Sequence, residues 1–299
     1  MPTPPTPRLE DFVDLLEADA LIACARLEDL GPDGQDVTSE AFISADRMGQ
    51  GDLVARQAGR LAGLALLPRI AKTYDPSIRV ELLAADADPA RLDQTVARVS
   101  GPVRSLLAME RIALNFITHL SGVATLTARF VEKTAGTRAK IYDTRKTIPG
   151  LRRLQKYAVA CGGGHTHRIG LYDAMLIKDN HLAGLSLDEL AGTLQRVVRE
   201  ARQRYPRLKF IEVEVDRLDQ LERVLGTGVD VVLLDNMTLR ELEQAVALRD
   251  RAAPRVELEA SGGVNLDTVA GIAATGVDRI SAGALTHSAP ALDLALDLR

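Results

Sequence analysis

The sequence predicts an α/β protein in two parts: a small mixed α+β domain, then a longer domain of βα units wound around a parallel sheet or incomplete barrel. Three observations predict it. Residues 9–100 mix short apolar segments with stretches of helical spacing; a glycine-poor pattern from Val103 to Lys133 reads as one long helix; and beyond residue 138 short apolar runs alternate with loop signals and helices.

Taken in order, "MPTPPTPRLEDF" opens the chain with prolines and no apolar core, so residues 1–8 are expected to be a disordered leader. Phe12, Leu15, Leu16, Leu21, Ile22, Ala25 and Leu27 recur at roughly helical spacing, and "GPDGQDVTS" then breaks the pattern. Strands are expected around Ala41–Ile43, Gly51–Ala55 and Val80–Ala84, with a helix over Leu61–Thr73. The helix over Val103–Lys133 bridges to the second part. There the expected strands are Ala139–Tyr142, Ala174–Ile177, Lys209–Val215, Val229–Leu234, Val256–Ala260 and Arg279–Ala282, about six where a full barrel has eight. The expected domains are 9–120 and 121–287, with a C-terminal helix over 288–299 rejoining the first.

Composition limits what such a chain does. With 299 residues, 46% hydrophobic, it can build two substantial cores. Lys plus Arg number 37 against 41 acidic residues, a net charge of -4, which argues against coating nucleic acid or an anionic membrane. Cys24 and Cys161 make neither a disulfide framework nor a metal spacing, so a reducing cytoplasm is expected. No apolar run is long enough to span a bilayer.

Function is written at the strand ends. Asp143-Thr144-Arg145-Lys146, Lys178-Asp179-Asn180-His181, Glu214, Asp235-Asn236, Ser261-Gly262-Gly263 and Gly283 each follow or close an expected strand, where a βα-barrel builds its active site. Each has a plainer reading. An Arg/Lys pair after a strand is often only solvated, Lys178 can simply pair with an acid, the glycines at 162–164 can be a turn, and Asp235-Asn236 can cap the next helix. Their coincidence at one barrel face favours a site. Arg145 and Arg168 are planar forks suited to carboxylates or phosphates, Lys146 and Lys178 are compact charges, and the substrate is expected to be polyanionic. Glu214 and Asp235 end consecutive strands and suit Mg²⁺ or ribose hydroxyls. "SGGV" and "SAGAL" offer close backbone approach to a phosphate.

These residues also resemble a known family. "YDTRKTIPGLRRLQKYAVACGGGHTHRIGLYDAMLIKDNH", with "EVEV", "VVLLDN", "EASGGV" and "SAGALTHS" behind it, closely resembles quinolinate phosphoribosyltransferase, from the "DVTS" at 36–39 almost to the C-terminus. The resemblance implies an N-terminal α/β sandwich domain plus an incomplete α/β barrel. It implies transfer from phosphoribosyl pyrophosphate to quinolinate, giving nicotinate mononucleotide, pyrophosphate and CO₂ in NAD biosynthesis, with Mg²⁺. It also implies a homodimer whose active sites take residues from both chains, with assembly to a hexamer left open.

Carried over by residue, the resemblance assigns Arg145, His167 and Arg168 to quinolinate, with Lys146 close by and Arg111 of "MERIALN" lent by the neighbouring subunit. Lys178, Glu214 and Asp235 match positions around the ribose, pyrophosphate and metal. Ser261, Gly262, Gly263, Gly283 and His287 match the 5-phosphate end. Lys146, Lys178, Glu214 and Asp235 are the expected catalytic group. One departure stands: His165 and Thr166 follow the glycines where the family commonly has a small residue and Asn, so His165 is expected at the rim of the pocket.

Four rivals remain at this point. A paralogous transferase for another ring acid loses parts of the pattern that is intact here, and nicotinate would leave one arginine unpaired. A barrel lyase wants a lysine in an apolar setting, and an idle phosphate-binding protein has no use for Glu214 and Asp235.

Overall fold

Asp14 decides where the first long helix starts. Its carboxylate accepts the backbone N–H of Leu16 at 2.8 Å, so the expected helical stretch divides into a short 3₁₀ turn, Leu9–Asp11, and a helix, α1, at Leu15–Leu30. This computed structural model describes residues 6–299. Of the expected leader, residues 1–5 lie outside the described residues.

In chain order the remaining helices are α2 (Val37–Phe42), α3 (Leu67–Tyr74), α4 (Val103–Lys133), α5 (Arg152–Cys161), α6 (Asp179–Leu182), α7 (Leu187–Arg204), α8 (Leu218–Val224), α9 (Leu239–Ala252), α10 (Val269–Ala274) and α11 (Ala284–His287). The strands are β1 (Met48–Ala55), β2 (Gly59–Arg60), β3 (Arg79–Leu82), β4 (Pro89–Ala90), β5 (Thr95–Pro102), β6 (Lys140–Tyr142), β7 (Met175–Ile177), β8 (Ile211–Val215), β9 (Val231–Asp235), β10 (Glu257–Ser261), β11 (Arg279–Ser281) and β12 (Leu294–Leu298). They fall into two compact units: one runs up to Ala128 and takes in Thr147–Gly163 and Leu285–Arg299, and the other comprises Arg129–Lys146 and Gly164–Ala284.

The first unit is built on a four-stranded antiparallel sheet, order β12-β1-β5-β3. Leu53, Ala55, Val96, Ala97 and Val99 supply its buried face. Two expectations fail here. The strand expected at Ala41–Ile43 is instead the end of α2, because Asp36 accepts from the N–H groups of Thr38 and Ser39 at 3.1 and 3.0 Å and nucleates a helical turn. The helix expected over 288–299 is the strand β12, whose Leu294, Leu296 and Leu298 recur at the two-residue period of a strand and pair antiparallel with β1. The strand β5, central in this sheet, was not among those expected.

The second unit holds a six-stranded parallel sheet, order β6-β11-β10-β9-β8-β7. All six of its strands lie on expected segments, and the near-continuous apolar run "VVLL" of β9 is fully buried, as a sheet covered on both faces requires. The sheet is not closed. β6 and β7, consecutive in the chain, stand at opposite edges, and residues 165–167 lie along the free edge of β6: His165 N–H donates to the Ile141 carbonyl at 2.7 Å, and Asp143 N–H donates to the His165 carbonyl at 3.1 Å.

Candidate active site

That edge pairing places two distant pieces of sequence side by side. Arg145 and Lys146 follow β6 directly, and the strip beside β6 delivers His167 and Arg168 to the same end. His167 and Arg168 are buried, Arg145 is half-buried and Lys146 is exposed. Burial pulls the Arg168 guanidinium below its usual range, and the charge of Arg145 pulls it further, against the opposing pull of Glu212 and Asp173. Two cations close enough to repel one another are the electrostatic signature of a place that receives an anion.

The segment carrying Arg168 is held by its backbone. Four consecutive amides are each taken by a side chain: His167 N–H by Asp143 Oδ1 at 2.9 Å, Arg168 N–H by His167 Nδ1 at 2.8 Å, and Ile169 and Gly170 N–H by Asp173 at 3.0 Å. Irregular backbone is normally pinned by a regular neighbour; here three side chains do it.

Under this segment lies a buried acid pair. His167 Nε2 sits 3.0 Å from Glu212 Oε2 and 3.4 Å from Glu259 Oε2, and neither glutamate has a measurable exposed side. The ring N–H is directed at neither oxygen, so these are charge contacts more than aligned hydrogen bonds. Burial lowers the His167 pKa and the two carboxylates raise it, but the Arg168 amide donates to Nδ1 and so requires a free lone pair there, which keeps the ring neutral with its proton on Nε2; burial, then the charge of Glu259, pushes Glu212 up to about 7. The spacing of these three ligand atoms would also suit a cation. However, a further positive charge is already at hand, since the pull of Arg279 acts on Glu212 as well. Arg279 itself pairs with Glu257 and stacks at 4.9 Å over the Tyr142 ring and 5.3 Å over Phe210. Phe210 in turn meets the His167 ring edge-on at 5.1 Å.

On the next strands, Glu214 is the fourth residue of β8 and accepts an ion pair from Lys178, which directly follows β7. The plainer reading of Lys178 as the partner of an acid is therefore met, but that acid is itself one of the expected site residues. Asp235 closes β9 and accepts from the Asn236 amide at 2.8 Å, while Ser261 closes β10 directly beside it in register. The cap of α9 is Thr238, in a reciprocal box with Glu241, so Asp235 is released from that duty. Gly262 has φ of 90°, and a Cβ there would fall 2.1 Å from Asn236 Oδ1, which admits no other residue. Gly263 is also left-handed at 60° and faces open space, and Gly283 follows β11.

Two expected residues lie in the other unit. Arg111 is exposed on α4 between buried Met109 and Ile112, and His287 is exposed at the end of α11. His165 is exposed, with its ring stacked on Tyr142 at 5.4 Å. Sequence reasoning placed Asp143 at a strand end but gave it no role, and it missed Glu212, Glu259 and Arg279. A signal existed: in "IEVEV" and "ELEAS" the acids recur every second residue, on one face of strands buried on both sides, where an unassisted charge is costly.

Known proteins resemble the chain along most of its length. The C-terminal domain pattern described as quinolinate phosphoribosyl transferase matches residues 123–297, and the corresponding N-terminal domain pattern matches 36–121. The nicotinate-nucleotide pyrophosphorylase (carboxylating) of Mycobacterium leprae is 43% identical over 267 residues, covering 89% of this chain and 92% of the relative. A probable enzyme of the same name from Synechocystis is 40% identical, covering 86% and 85%. Among solved structures, NadC from Streptococcus pyogenes superposes with a TM-score of 0.87 at 37% identity, covering 96% of this chain and 98% of that one.

Proposed function

The chain belongs to the quinolinate phosphoribosyltransferase family, and we infer that it transfers a phosphoribosyl group from phosphoribosyl pyrophosphate to quinolinate with loss of CO₂, forming nicotinate mononucleotide in NAD biosynthesis. The single observation that carries the reading in this molecule is that residues 165–167 run beside β6 and so bring Arg168 to the end of β6 that leads to Arg145, where burial first and the charge of Arg145 second depress Arg168. A ring with two adjacent carboxylates answers both charges; a ring with one leaves a buried arginine uncompensated.

Arg145 and Arg168 supply the charges for the two carboxylates, with His167 behind them in the same pocket and Lys146 at its exposed side, and Arg111 from a second copy of the chain completes it. The site is therefore shared within a homodimer, and the exposure of Arg111 leaves it available to another chain. Lys178, Glu214 and Asp235 serve the ribose and pyrophosphate, and Ser261, Gly262, Gly263 and Gly283 serve the 5-phosphate. The paired left-handed glycines Gly262 and Gly263 open their backbone to such a close approach.

Chemistry follows from this placement. The ring nitrogen, oriented by the carboxylate pocket, attacks the anomeric carbon as the bond to pyrophosphate breaks, through an oxocarbenium-like state that needs no side-chain nucleophile. Lys178 stabilises the charge building on the departing oxygen. The product is a pyridinium, whose positive nitrogen stabilises the electron pair left on the adjacent carbon when the carboxylate there departs as CO₂, and a proton from water then takes up that pair to give nicotinate mononucleotide. Glu214 and Asp235, two hard oxygen donors on adjacent strands with Glu214 also paired to Lys178, would hold Mg²⁺, which would supply positive charge against the pyrophosphate. Neither free cysteine is positioned for a disulfide, one exposed and one buried, in keeping with a cytoplasmic enzyme; no helix among the described residues is long and apolar enough to cross a membrane.

The deciding experiment incubates the purified protein with phosphoribosyl pyrophosphate, Mg²⁺ and either quinolinate or nicotinate, following nicotinate mononucleotide and CO₂. Product from quinolinate alone is expected. Product from nicotinate at a comparable rate would overturn the two-carboxylate pocket.

A further inference from the structure

The acid pair beneath the pocket has no part in the reaction as just described, and it is the most costly feature of the second unit. Two glutamates with no measurable exposure, neither capped by a well-directed hydrogen bond, would normally be lost in favour of apolar residues unless they did something. They come from non-adjacent strands, β8 and β10, with only β9 between them, and both reach the His167 ring, while the charge of Arg279 acts on each of them as well.

That ring is turned inward at both nitrogens. Nε2 faces the two carboxylates, and Nδ1 accepts the backbone N–H of Arg168. A ring so held offers neither nitrogen to a ligand. What it transmits is position: the charge of the two carboxylates favours the proton on Nε2, that tautomer leaves Nδ1 as an acceptor, and Nδ1 fixes the amide of the residue whose guanidinium meets the substrate. Phe210 closes the remaining edge at 5.1 Å, so the ring cannot readily turn away.

We propose that Glu212 and Glu259 are positioning residues for recognition of the ring dicarboxylate, acting through His167 to preset Arg168 before the substrate arrives. The proposal rests on the phosphoribosyl-transfer reading and deepens it. His167 belongs to the same pocket but serves it from behind, by orienting Arg168.

Glu212→Gln and Glu259→Gln preserve shape while removing the charge that favours the proton on Nε2. Each is expected to raise the KM for quinolinate about tenfold while moving the KM for phosphoribosyl pyrophosphate less than about twofold, a split that general loosening of the fold would not produce. A double-mutant cycle makes the route specific: in a His167→Gln background Glu259→Gln is expected to add less than about twofold. Equal penalties in both backgrounds, or parallel rises in both KM values, would overturn the proposal. Should either variant fail to fold, histidine ¹⁵N resonances of the wild-type protein decide: Nε2 protonated with Nδ1 as an acceptor is expected, and the opposite tautomer overturns it. That spectrum needs no substrate. A wild-type enzyme silent on quinolinate would therefore sink the functional reading while leaving the positioning of Arg168 separately testable.

Discussion

The two units spend their buried volume differently. The antiparallel sheet of the first is backed by Leu53, Ala55, Val96, Ala97 and Val99, an apolar face that contributes stability in proportion to the area it removes from water. The first unit buries acids too, but gives them directed partners: Asp52 on β1 meets Arg98 and Arg299, and Asp86 accepts the N–H groups of Leu64 and Ala65. The second buries Glu212 and Glu259 with no aligned hydrogen bond to any carboxylate oxygen. Charge taken out of water and left so costs free energy that a hydrophobic residue of like volume would not. The difference teaches where to look for function: among buried charges whose partners do not fully satisfy them.

The sharpest way to break that comparison is Arg168→Ala. Removing one of the two converging guanidiniums is expected to lower kcat/KM for quinolinate by about two to three orders of magnitude, from the 2–5 kcal/mol typical of truncating a buried charge contact, with the melting temperature unchanged or higher. A large drop in melting temperature would mean that the arginine holds the fold together. The mirror experiment is Ile70→Ala on α3, a residue with no exposed surface in the first unit. It is expected to cost about 2–5 kcal/mol in chemical denaturation while leaving kcat/KM per folded molecule unaltered.

Lys146→Ala tests the exposed side of the pocket. A charge acting mainly in the transition state predicts equal losses in kcat and kcat/KM, about tenfold or more, and a rise in KM alone would assign it to ground-state binding instead.

Much of the site was legible because its residues sit at the ends of strongly patterned strands. All six parallel strands followed from short apolar runs bounded by loop signals, and Arg145, Lys178, Glu214, Asp235 and Ser261 could be placed at strand ends by counting along them. The first unit was less legible. Its α2 depends on one capping aspartate among residues that read equally well as a strand, and β12 takes its identity from a partner, β1, far away in the chain.

What the sequence determined by itself was the alternation of elements, the chemistry gathered at the strand ends and, through a long shared motif, the family. These are local properties, set by period, turn residues and residue type. What only the tertiary structure decided was which side chains face one another: that residues 165–167 run along the open edge of β6, that Arg145 and Arg168 come close enough to repel, and that Glu212 and Glu259 meet over a single histidine ring. The physical reason is that the energy of a buried charge depends on neighbours brought together from separate strands, and no window of sequence contains them.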